Sequence, residues 1–414
     1  MTSPAAPEEK LWHGQPRAVW AVLFACIVAF MGIGLVDPIL PIIADGLHAD
    51  NSQVELLFTS YFAVIGVSNL VAGFFATRIG PKRTLLFGLA LVVVCSAAAG
   101  ASSTVAAVVG FRAGWGLGIA LFVSTSMSLI IATIRGGIGR AIILFESSLG
   151  VGIASGPLLG GLLGGVSWRG PFFGVAVLMT IAFVAILTQV RPTPAPPRER
   201  RISLADPLKA LSHKGLLAGS VVALIYNFGF FTLLAYTPLP LQLGVHQLGI
   251  VFFVWGVLVA LGAIFCAPRL AARFSPVLVL AVVMALMTID LLVIALGIDS
   301  KPVMIVAIVA SGIVIGTGNA LLSGILLRIS HTNAAVAASA TNFVRFVGGA
   351  LAPFLAGKLS ESVSVGAPLY VAAAVAVVGV LAILATRRLI DERDPAELAA
   401  VDDADALEAE LASV

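Results

Sequence analysis

The sequence predicts an all-α membrane protein, with twelve transmembrane helices in two pseudo-symmetric six-helix bundles. Of its 414 residues, 59% are hydrophobic and 11% are charged, and the mean hydropathy is +1.08. Soluble proteins carry about a quarter charged residues, and a helix that crosses a bilayer needs about 20 apolar residues. Twelve segments meet that requirement, at 18–44, 54–77, 83–101, 105–133, 140–164, 171–190, 215–243, 248–272, 276–297, 303–327, 336–358 and 368–386.

The connections between these segments are short except for residues 191–214, which begin with a proline-rich run. Such a run cannot be helical, whereas residues 203–211 suit a short amphipathic helix at the membrane interface. The chain is therefore predicted to have five parts. They are a cytoplasmic N-terminal segment (1–17), an N-terminal six-helix bundle (18–190), a cytoplasmic linker (191–214), a C-terminal six-helix bundle (215–386) and an acidic cytoplasmic tail (387–414).

Positive charge is distributed unevenly between the two sides of the predicted membrane domain. With the N-terminus inside, 19 of the 24 Lys and Arg residues fall in cytoplasmic segments. Only Arg169, Lys301 and Lys358 fall outside, and Arg112 and Arg345 lie within helices. Because cytoplasmic loops carry the excess of positive charge, we predict a multi-pass protein of the plasma (inner) membrane with both termini in the cytoplasm.

The two halves of the sequence are weak copies of each other. A parallel repeat of six plus six helices is typical of transporters that expose a central site alternately to the two sides. The matching residues are Gly32 and Pro41 with Gly229 and Pro238, Gly116, Gly118 and Ala120 with Gly316, Gly318 and Ala320, and Gly152, Pro157 and Gly161 with Gly348, Pro353 and Gly357.

Asp37 is a carboxylate inside the first predicted helix. An ionisable group at membrane depth costs several kcal/mol and usually has a functional reason. Pro38, Pro41 and two glycines surround it, and they loosen the helix where a water-filled cavity can satisfy the backbone. Asp37 is therefore predicted to bind and release protons on a polar path. The alternative is a carboxylate near the helix end that reaches the outer interface.

Arg112 lies in the fourth predicted helix at a depth similar to that of Asp37, roughly 10 Å below the outer surface at 1.5 Å of helix rise per residue. Because an arginine keeps its proton, it needs a partner or water inside the membrane. We predict that the two residues couple proton binding to transport, with a fixed structural pair as the alternative. The repeat places Leu234 and Gly312 at the equivalent positions, so proton handling is expected in the first half alone.

Four segments of the chain carry recognisable motifs: 37–41 (DPILP), 73–83 (GFFATRIGPKR), 112–120 (RAGWGLGIA) and 152–161 (GIASGPLLGG). These segments resemble motifs of the major facilitator superfamily, and more narrowly of its twelve-helix drug:proton antiporter branch. The resemblance covers about residues 18–386, and it implies the major facilitator fold, alternating access and a role for Arg112 in proton coupling.

The resemblance also assigns conformational roles to the second and fourth of these segments. In the family, an aspartate in the loop motif helps to stabilise the outward-facing state, and Thr77 replaces that acid here. The glycine-rich helix motif permits close helix packing, and the family adds restriction of leak and of exchange direction. The matching residues are Gly73, Thr77, Arg78, Gly80 and Arg83 in the loop motif, and Gly152, Gly156, Pro157 and Gly160 in the helix motif.

Three polar residues in the fifth and eleventh predicted helices are candidates for the wall of a central cavity. Glu146 lies about 9 Å from the cytoplasmic helix end, and the repeat pairs it with Asn342. Glu146 is predicted to contribute to proton coupling; the alternative is a bond with inner loops near Arg135 or Arg140. Arg345 lies near mid-membrane, where it would hold an anionic group of the substrate, pair with Glu146, or serve a structural role.

Aromatic and amide side chains complete the predicted substrate cavity. Tyr61, Asn227, Phe231 and Asn319 are the candidates, because such groups suit an amphipathic ligand. Aromatic residues are equally ordinary at lipid-facing positions and in interface belts.

The sequence has no phosphate-binding GxxxxGK[ST] motif, no HExxH motif and no nucleophile elbow, so we expect neither an ATP-driven pump nor an enzyme. We predict a proton-coupled exporter of small amphipathic compounds. The alternatives are a transporter of a defined metabolite (a sugar, an amino acid or a lipid) and a membrane receptor that transports nothing. The expected partners are a small-molecule substrate, protons and the lipid bilayer, with no nucleic acid, cofactor or metal, and the protein is expected to be a monomer.

Overall fold

The computed structural model describes residues 15–135, 137–191, 202–329 and 334–387, and the side chains of Asp37 and Glu146 lie outside this described part. All regular elements of the described residues are helices. They are α1 (Arg17–Gly34), α2 (Leu40–Leu47), α3 (Asn51–Ile79), α4 (Pro81–Ala101), α5 (Val105–Thr133), α6 (Gly137–Gly164), α7 (Gly170–Gln189), α8 (Asp206–Ala210), α9 (Lys214–Phe231), α10 (Pro238–Leu241), α11 (Val245–Leu261), α12 (Ala267–Arg273), α13 (Pro276–Leu296), α14 (Lys301–Arg328), α15 (Ala334–Ser362) and α16 (Ala367–Ala385).

Twelve stretches of these helices are long and apolar enough to cross a membrane. Ten are single helices, and two are composite, at Lys214–Leu241 and Val245–Arg273. The predicted all-α membrane fold with twelve spans is thereby confirmed, whereas the predicted domain boundaries stay a prediction. We call the end of the bundle that carries α2 and the connection between α4 and α5 the outer end, after the predicted orientation, and the opposite end the inner end.

The first span is interrupted, although the sequence predicted one helix over 18–44. α1 ends at Gly34, a 3₁₀ turn covers Asp37–Ile39, and α2 begins at Leu40. Pro38 has no amide hydrogen to donate and disfavours the α conformation at Asp37, so the helical hydrogen-bond ladder breaks there. Asp37 therefore lies at a helix break inside the membrane domain.

Both composite spans contain a π-helical turn just before a proline. One covers Thr232–Tyr236 ahead of Pro238, and the other covers Gly262–Cys266 ahead of Pro268. A proline removes one helical hydrogen bond and its ring pushes the preceding turn outward, which a wider turn accommodates. π-helical turns occur frequently at functional sites, and the first of these follows directly after Phe231.

The internal repeat of the sequence reappears in the packing of the two halves. A Cβ atom placed on Gly152 of α6 would lie 2.6 Å from the carbonyl oxygen of Ile27 on α1. A Cβ atom on Gly348 of α15 would contact the carbonyl oxygen of Leu224 on α9 in the same way. Gly348 follows Gly152 by 196 residues, and Leu224 follows Ile27 by 197 residues. Equivalent glycines therefore bring equivalent helices together in each half.

Two helix pairs form the main contacts between the halves, α3 with α15 and α6 with α11. At the outer end, the backbone amide of Ser52 donates a hydrogen bond to Oε1 of Glu361, at 2.7 Å. In the second pair a Cβ on Gly161 would lie 3.0 Å from Cα of Gly249, so no side chain separates these backbones. The two halves are therefore in direct contact at the outer end of both pairs.

Candidate functional site

The second half contains a cluster of polar side chains from three helices, which we call the arginine–amide cluster: Arg345 on α15, Asn227 on α9 and Asn319 on α14. Nε of Arg345 donates to Oδ1 of Asn227 at 3.2 Å, and Nη2 of Arg345 donates to Oδ1 of Asn319. A helix rise of 1.5 Å per residue places the three residues roughly 14–20 Å from the inner ends of their helices. The cluster therefore lies near the middle of the membrane domain.

Local hydrogen bonds orient this cluster. Nδ2 of Asn227 donates to the carbonyl oxygen of Ala223 at 2.8 Å, which turns Oδ1 of Asn227 toward Arg345. The hydroxyl of Tyr226 donates to the carbonyl oxygen of Ile315 at 2.5 Å and ties α9 to α14 one turn from Asn319. Asn227 and Tyr226 are completely buried, whereas Arg345 and Asn319 are half-buried. The cluster is thus held from its buried side and partly accessible at the guanidinium.

Aromatic rings from both halves meet one helical turn from Arg345, since a Cβ on Gly349 of α15 would lie 2.8 Å from the Phe231 ring. Phe346 follows Arg345 on α15, and its ring lies nearly parallel to that of Phe62 on α3, with centroids 5.8 Å apart. The ring of Phe62 also lies 4.1 Å from that of Phe231 on α9, the aromatic candidate of the sequence prediction. Charged, amide and aromatic groups therefore adjoin one another where the two halves pack together, an arrangement that suits an amphipathic ligand.

Arg112 on α5 is completely buried, and it lies among aromatic rings of the first half. Its guanidinium carbon lies 4.0 Å from the centre of the Tyr61 ring and 4.7 Å from that of the Trp115 ring. A guanidinium keeps its charge in proteins, and the face of an aromatic ring attracts a cation. The rings therefore hold a permanent positive charge at a fixed place in the first half.

Trp115 connects this charge to the helix that leads to Asp37. A Cβ on Gly32 of α1 would lie 2.9 Å from the Trp115 ring, so the indole packs directly against the α1 backbone. Gly32 precedes the 3₁₀ turn at Asp37 by five residues. The Arg112 group and the backbone of the predicted proton site thus belong to neighbouring parts of the first half.

The remaining candidate residues lie at several places. Tyr61 is completely buried against Arg112, and the centre of its ring lies 5.2 Å from that of Phe62. Its role in the substrate cavity stays a prediction. Asn342 lies one turn before Arg345 on α15 and is half-buried. The side chain of Glu146 is outside the described residues, so its predicted pairing stays a prediction.

Thr77 and Arg78 of the loop motif between α3 and α4 contact residues of α3 itself. The Thr77 hydroxyl donates to the carbonyl oxygen of Gly73 at 2.9 Å, and the Arg78 guanidinium lies 3.9 Å from the centre of the Phe74 ring. Gly80 has φ of 91°, a value that a glycine adopts without strain, and it makes the sharp turn into α4. Arg83 is exposed.

Lys82 of the same motif was not singled out by the sequence. Its Nζ atom donates to the carbonyl oxygen of Leu187 at 3.1 Å and to that of Val190, at the last turn of α7. A lysine at a helix C-terminus satisfies carbonyl groups that have no intrahelical partner. The motif therefore ties α4 to α7 within the first half.

The glycine-rich motif of α6 packs against two helices. Cβ atoms on Gly152, Gly156 and Gly160 would contact the carbonyl oxygens of residues 27, 31 and 35, along α1 and its broken end. On another face, the carbonyl oxygen of Pro157 would lie 2.9 Å from a Cβ on Gly249 of α11. The small residues let α6 approach a helix of its own half and a helix of the other half.

Sequence reasoning did not single out Phe62, Phe346 and Trp115 as parts of a site. Phenylalanine and tryptophan are common in membrane helices, and their spacing does not reveal which of them meet across the two halves. The available signal was the sequence position of two of them: Phe346 directly follows Arg345, and Trp115 follows Arg112 by three residues.

The described residues contain twelve helical stretches that can span a membrane, arranged in two repeats with polar groups at mid-depth. This arrangement is typical of membrane transport proteins that work by alternating access. The family model of the Major Facilitator Superfamily matches residues 22–353, and the chain belongs to that family. The predicted resemblance is thereby confirmed.

Among curated proteins, the chain is 46% identical over 374 residues to the multidrug efflux protein YfmO of Bacillus subtilis (strain 168), covering 90% of this chain and 94% of that protein. It is 22% identical over 378 residues to the quinolone resistance protein NorA of Staphylococcus aureus (strain COL), covering 89% and 96%. The tetracenomycin C resistance and export protein of Streptomyces glaucescens matches at 35% identity over 44% of this chain and 35% of that protein.

Among solved structures, the chain resembles a bacterial homologue of the human lysosomal transporter Spinster, in its inward-facing and unoccupied conformation. The TM-score is 0.76 at 14% identity, and the match covers 91% of this chain and 98% of that one. The nucleoside transporter NupG, solved as a point mutant, gives a TM-score of 0.72 at 14% identity, covering 91% and 100%. At these identities the likeness concerns the fold.

Proposed function

We propose that this protein exports small amphipathic compounds from the cytoplasm in exchange for protons. The observation that carries the substrate part is the arginine–amide cluster beside the aromatic rings of Phe62, Phe231 and Phe346. Rings bury the apolar part of a ligand, and the cluster offers hydrogen bonds to its polar part. The names of the relatives, which describe multidrug efflux and drug resistance, support the same class of substrate.

The proton part of the proposal assigns titration to Asp37 and a fixed counter-charge to Arg112. Its support is the helix break at Asp37, the complete burial of Arg112 and the contact of Trp115 with α1. A carboxylate that faces water on one side and then on the other exchanges its proton with each side in turn. Coupling then follows if proton and substrate stabilise different states of the two bundles.

The two halves divide this work. The positions that the repeat aligns with Asp37 and Arg112 hold Leu234, which is buried, and Gly312. Neither can titrate or carry a charge, so the second half has no copy of the proposed proton site. We infer that the first half binds protons and that the second half supplies the polar contacts to substrate.

The orientation in the membrane belongs to the same proposal. With both termini in the cytoplasm, the outer end faces outside and the arginine–amide cluster is reached from the cytoplasm when the inner end opens. The distribution of the 24 Lys and Arg residues supports this orientation.

A second candidate function is transport of a defined metabolite that carries a carboxylate or phosphate. The observation that favours it is Arg345, because a guanidinium binds such groups through charge-assisted hydrogen bonds. A screen of dyes, antibiotics and anionic metabolites for counterflow in proteoliposomes separates the two. Competition by cationic and neutral amphipathic drugs supports export of drugs, and competition by anionic metabolites alone supports the second function.

The experiment that tests proton exchange uses the full chain in proteoliposomes that contain a pH-sensitive dye. We expect a transported drug to drive proton movement with the wild-type protein and Asp37→Asn to abolish it at normal expression. Asp45→Asn is the matched control, because Asp45 is an exposed carboxylate at the outer end of the same span. Drug transport without proton movement in the wild type overturns exchange, and unchanged pH-dependent transport in Asp37→Asn removes Asp37 from the mechanism.

A further inference from the structure

Glu55, the fifth residue of α3, is a completely buried carboxyl group near the outer end. Neither of its oxygen atoms has a hydrogen-bond partner among the residues that the structure describes. A position near a helix N-terminus favours an acidic residue electrostatically. That effect supplies no hydrogen bond, so burial of an ionised Glu55 is costly here, whereas burial of a neutral carboxyl group costs much less.

Glu55 lies on the face of α3 that packs against the second half. Ser52, Glu55 and Phe62 share this face, at spacings of three and seven residues. A Cβ on Gly357 of α15 would lie 2.7 Å from Cα of Ser52, one turn nearer to the outer end. Phe62, two turns deeper, stacks on Phe346 of α15. Glu55 is therefore enclosed between two contacts that both join α3 to α15.

This enclosure depends on the two halves staying together at the outer end. The contacts of Ser52 with Gly357 and Glu361 are contacts between the halves, and they lie between Glu55 and the outer end. Separation of α3 from α15 at this end removes them and admits water to the carboxyl group. The exposure of Glu55 thus changes with the same movement that opens the outer end.

In the described part of the chain, no charged or titratable group donates a hydrogen bond to Glu55. Tyr236 lies in the π-helical turn, which contacts α3, and its hydroxyl donates to the carbonyl oxygen of Val365 at 2.6 Å. Arg112 lies over Tyr61, on the face of α3 that contacts α5. The others are Asp45 on α2, His48 directly after α2, and Arg345, Lys358 and Glu361 on α15.

We propose that Glu55 is a second proton-binding group, which must take up a proton from the outside before the outer end can close. In the closed state the carboxyl group is neutral and enclosed between α3 and α15. When the outer end opens, water reaches Glu55 and the group releases one proton to the external medium. The resulting carboxylate resists burial, so closure requires one proton to return from outside.

This inference rests on the alternating movement of the two bundles in the proposed function, and it adds a role for external pH. An exporter that has released its substrate outside returns only after the outer end closes. Proton uptake by Glu55 would therefore reset the transporter, separately from the transported proton assigned to Asp37.

The test measures opening of the outer end directly, without a drug. Spin labels are attached to cysteines that replace Asn51 and Ser362, two exposed residues at the outer ends of α3 and α15, in full-length protein whose three native cysteines are replaced by alanine. Double electron–electron resonance spectroscopy in lipid nanodiscs then gives the distance between the two labels at several pH values. We expect the ratio of closed to open molecules to fall as the pH rises, by up to about tenfold per pH unit. This is the slope expected when opening releases one proton.

Three variants decide the outcome. Glu55→Gln, which cannot ionise, is expected to stay mainly closed at every pH, and Glu55→Asp is expected to keep the pH dependence. Asp45→Asn, which changes an exposed acid at the same end, is expected to behave as the wild type. A wild-type pH dependence in Glu55→Gln, or a wild-type distance that does not change with pH, overturns the inference. If Glu55→Gln does not fold, loss of pH dependence in Glu55→Leu supports it and retention overturns it.

The label distances do not depend on transport, so failure of this test is distinguishable from failure of the proposed function. A pH response that Glu55→Gln removes, together with drug transport that moves no protons, leaves Glu55 as a pH-dependent gate and overturns proton exchange. If drug transport moves protons but Glu55→Gln keeps the wild-type pH response of the label distances, proton exchange is assigned to Asp37 alone and the role of Glu55 is overturned.

Discussion

Nε of Arg345 lies 3.2 Å from Oδ1 of Asn227, so a guanidinium on α15 and an amide on α9 are joined near the middle of the membrane domain. The repeat aligns these two positions with Leu149 and Phe30 in the first half, which are apolar. The cluster is therefore a specialisation of the second half, and in the proposed function it supplies the polar contacts to substrate.

The first prediction concerns the geometry of Arg345. Arg345→Lys keeps the charge but loses the planar fork that reaches Asn227 and Asn319 together. We expect apparent affinity for exported compounds to fall about tenfold, which corresponds to about 1.4 kcal/mol, the range of one charge-assisted hydrogen bond. Binding titrations in detergent and efflux in vesicles measure this effect.

Arg269→Lys is the control for this substitution, because Arg269 is exposed and donates within its own helix to the carbonyl oxygen of Phe265. Equal affinity of Arg345→Lys and the wild type would show that the cluster does not contact substrate.

The second prediction concerns the aromatic contact between the halves. Phe62→Leu keeps an apolar side chain but removes the rings' contacts with Phe231 and Phe346. Since an aromatic pair contributes about 0.5–1.5 kcal/mol beyond burial, affinity for aromatic compounds should fall by roughly two- to tenfold. Affinity for aliphatic amphiphiles should fall less, and competition binding compares the two.

Phe87→Leu provides the control, since Phe87 is 55% exposed on the protein surface. An equal loss for aromatic and aliphatic compounds in Phe62→Leu would indicate a general change of packing rather than ring recognition.

The third prediction concerns Arg112. Arg112→Lys replaces a guanidinium that lies over the rings of Tyr61 and Trp115 with a compact, strongly hydrated ammonium, which is costlier to bury. We expect proton-coupled efflux to fall at least about tenfold while drug binding at Arg345 stays within about twofold, since residues without shared partners act nearly independently. Paired transport and binding measurements on the same preparation make this comparison.

Arg169→Lys is a matched control, because Arg169 also lies against a tryptophan, 4.6 Å from the centre of the Trp168 ring, in the connection before α7. Retention of full coupling by Arg112→Lys would assign Arg112 a structural role.

The fourth prediction concerns glycines that bring helices together. Gly152→Ala places a Cβ 2.6 Å from the carbonyl oxygen of Ile27, so α1 and α6 must move apart. We expect a lower unfolding temperature, by several degrees for a loss of about 1–3 kcal/mol from overpacking. Thermal unfolding in detergent measures it.

Gly110→Ala tests the same chemical change in open space, since no atom lies within 4 Å of a Cβ at Gly110. There the better helix propensity of alanine should leave the unfolding temperature unchanged or raise it. A similar decrease at both positions would contradict the packing explanation.

Much of the fold followed from local properties of the sequence. The twelve apolar stretches predicted twelve membrane helices, and Gly152 with Gly348 predicted equivalent packing in the two halves, because both properties repeat along the chain. The break near Asp37 was only partly predicted. Its glycines and prolines indicated a loosened helix, but whether the chain continues as a helix depends on the helices around it.

The candidate site was predicted less completely. The sequence already marked three polar residues in apolar helices: Asn227, Asn319 and Arg345. A polar side chain inside the membrane costs free energy, which suggests that it has a function. Their union in one cluster depends on the positions of three helices that lie far apart in sequence, so it required the tertiary structure.

The sequence by itself determined the membrane fold, the repeat and the identity of the buried charged residues. Hydropathy and charge belong to each residue and do not depend on its neighbours in space. Only the tertiary structure decided which side chains meet, because contacts between helices depend on their rotation and on backbone approach at small residues. Glu55 shows the difference: its sequence position suits a helix end, whereas its enclosure between α3 and α15 exists only when the two halves are in contact.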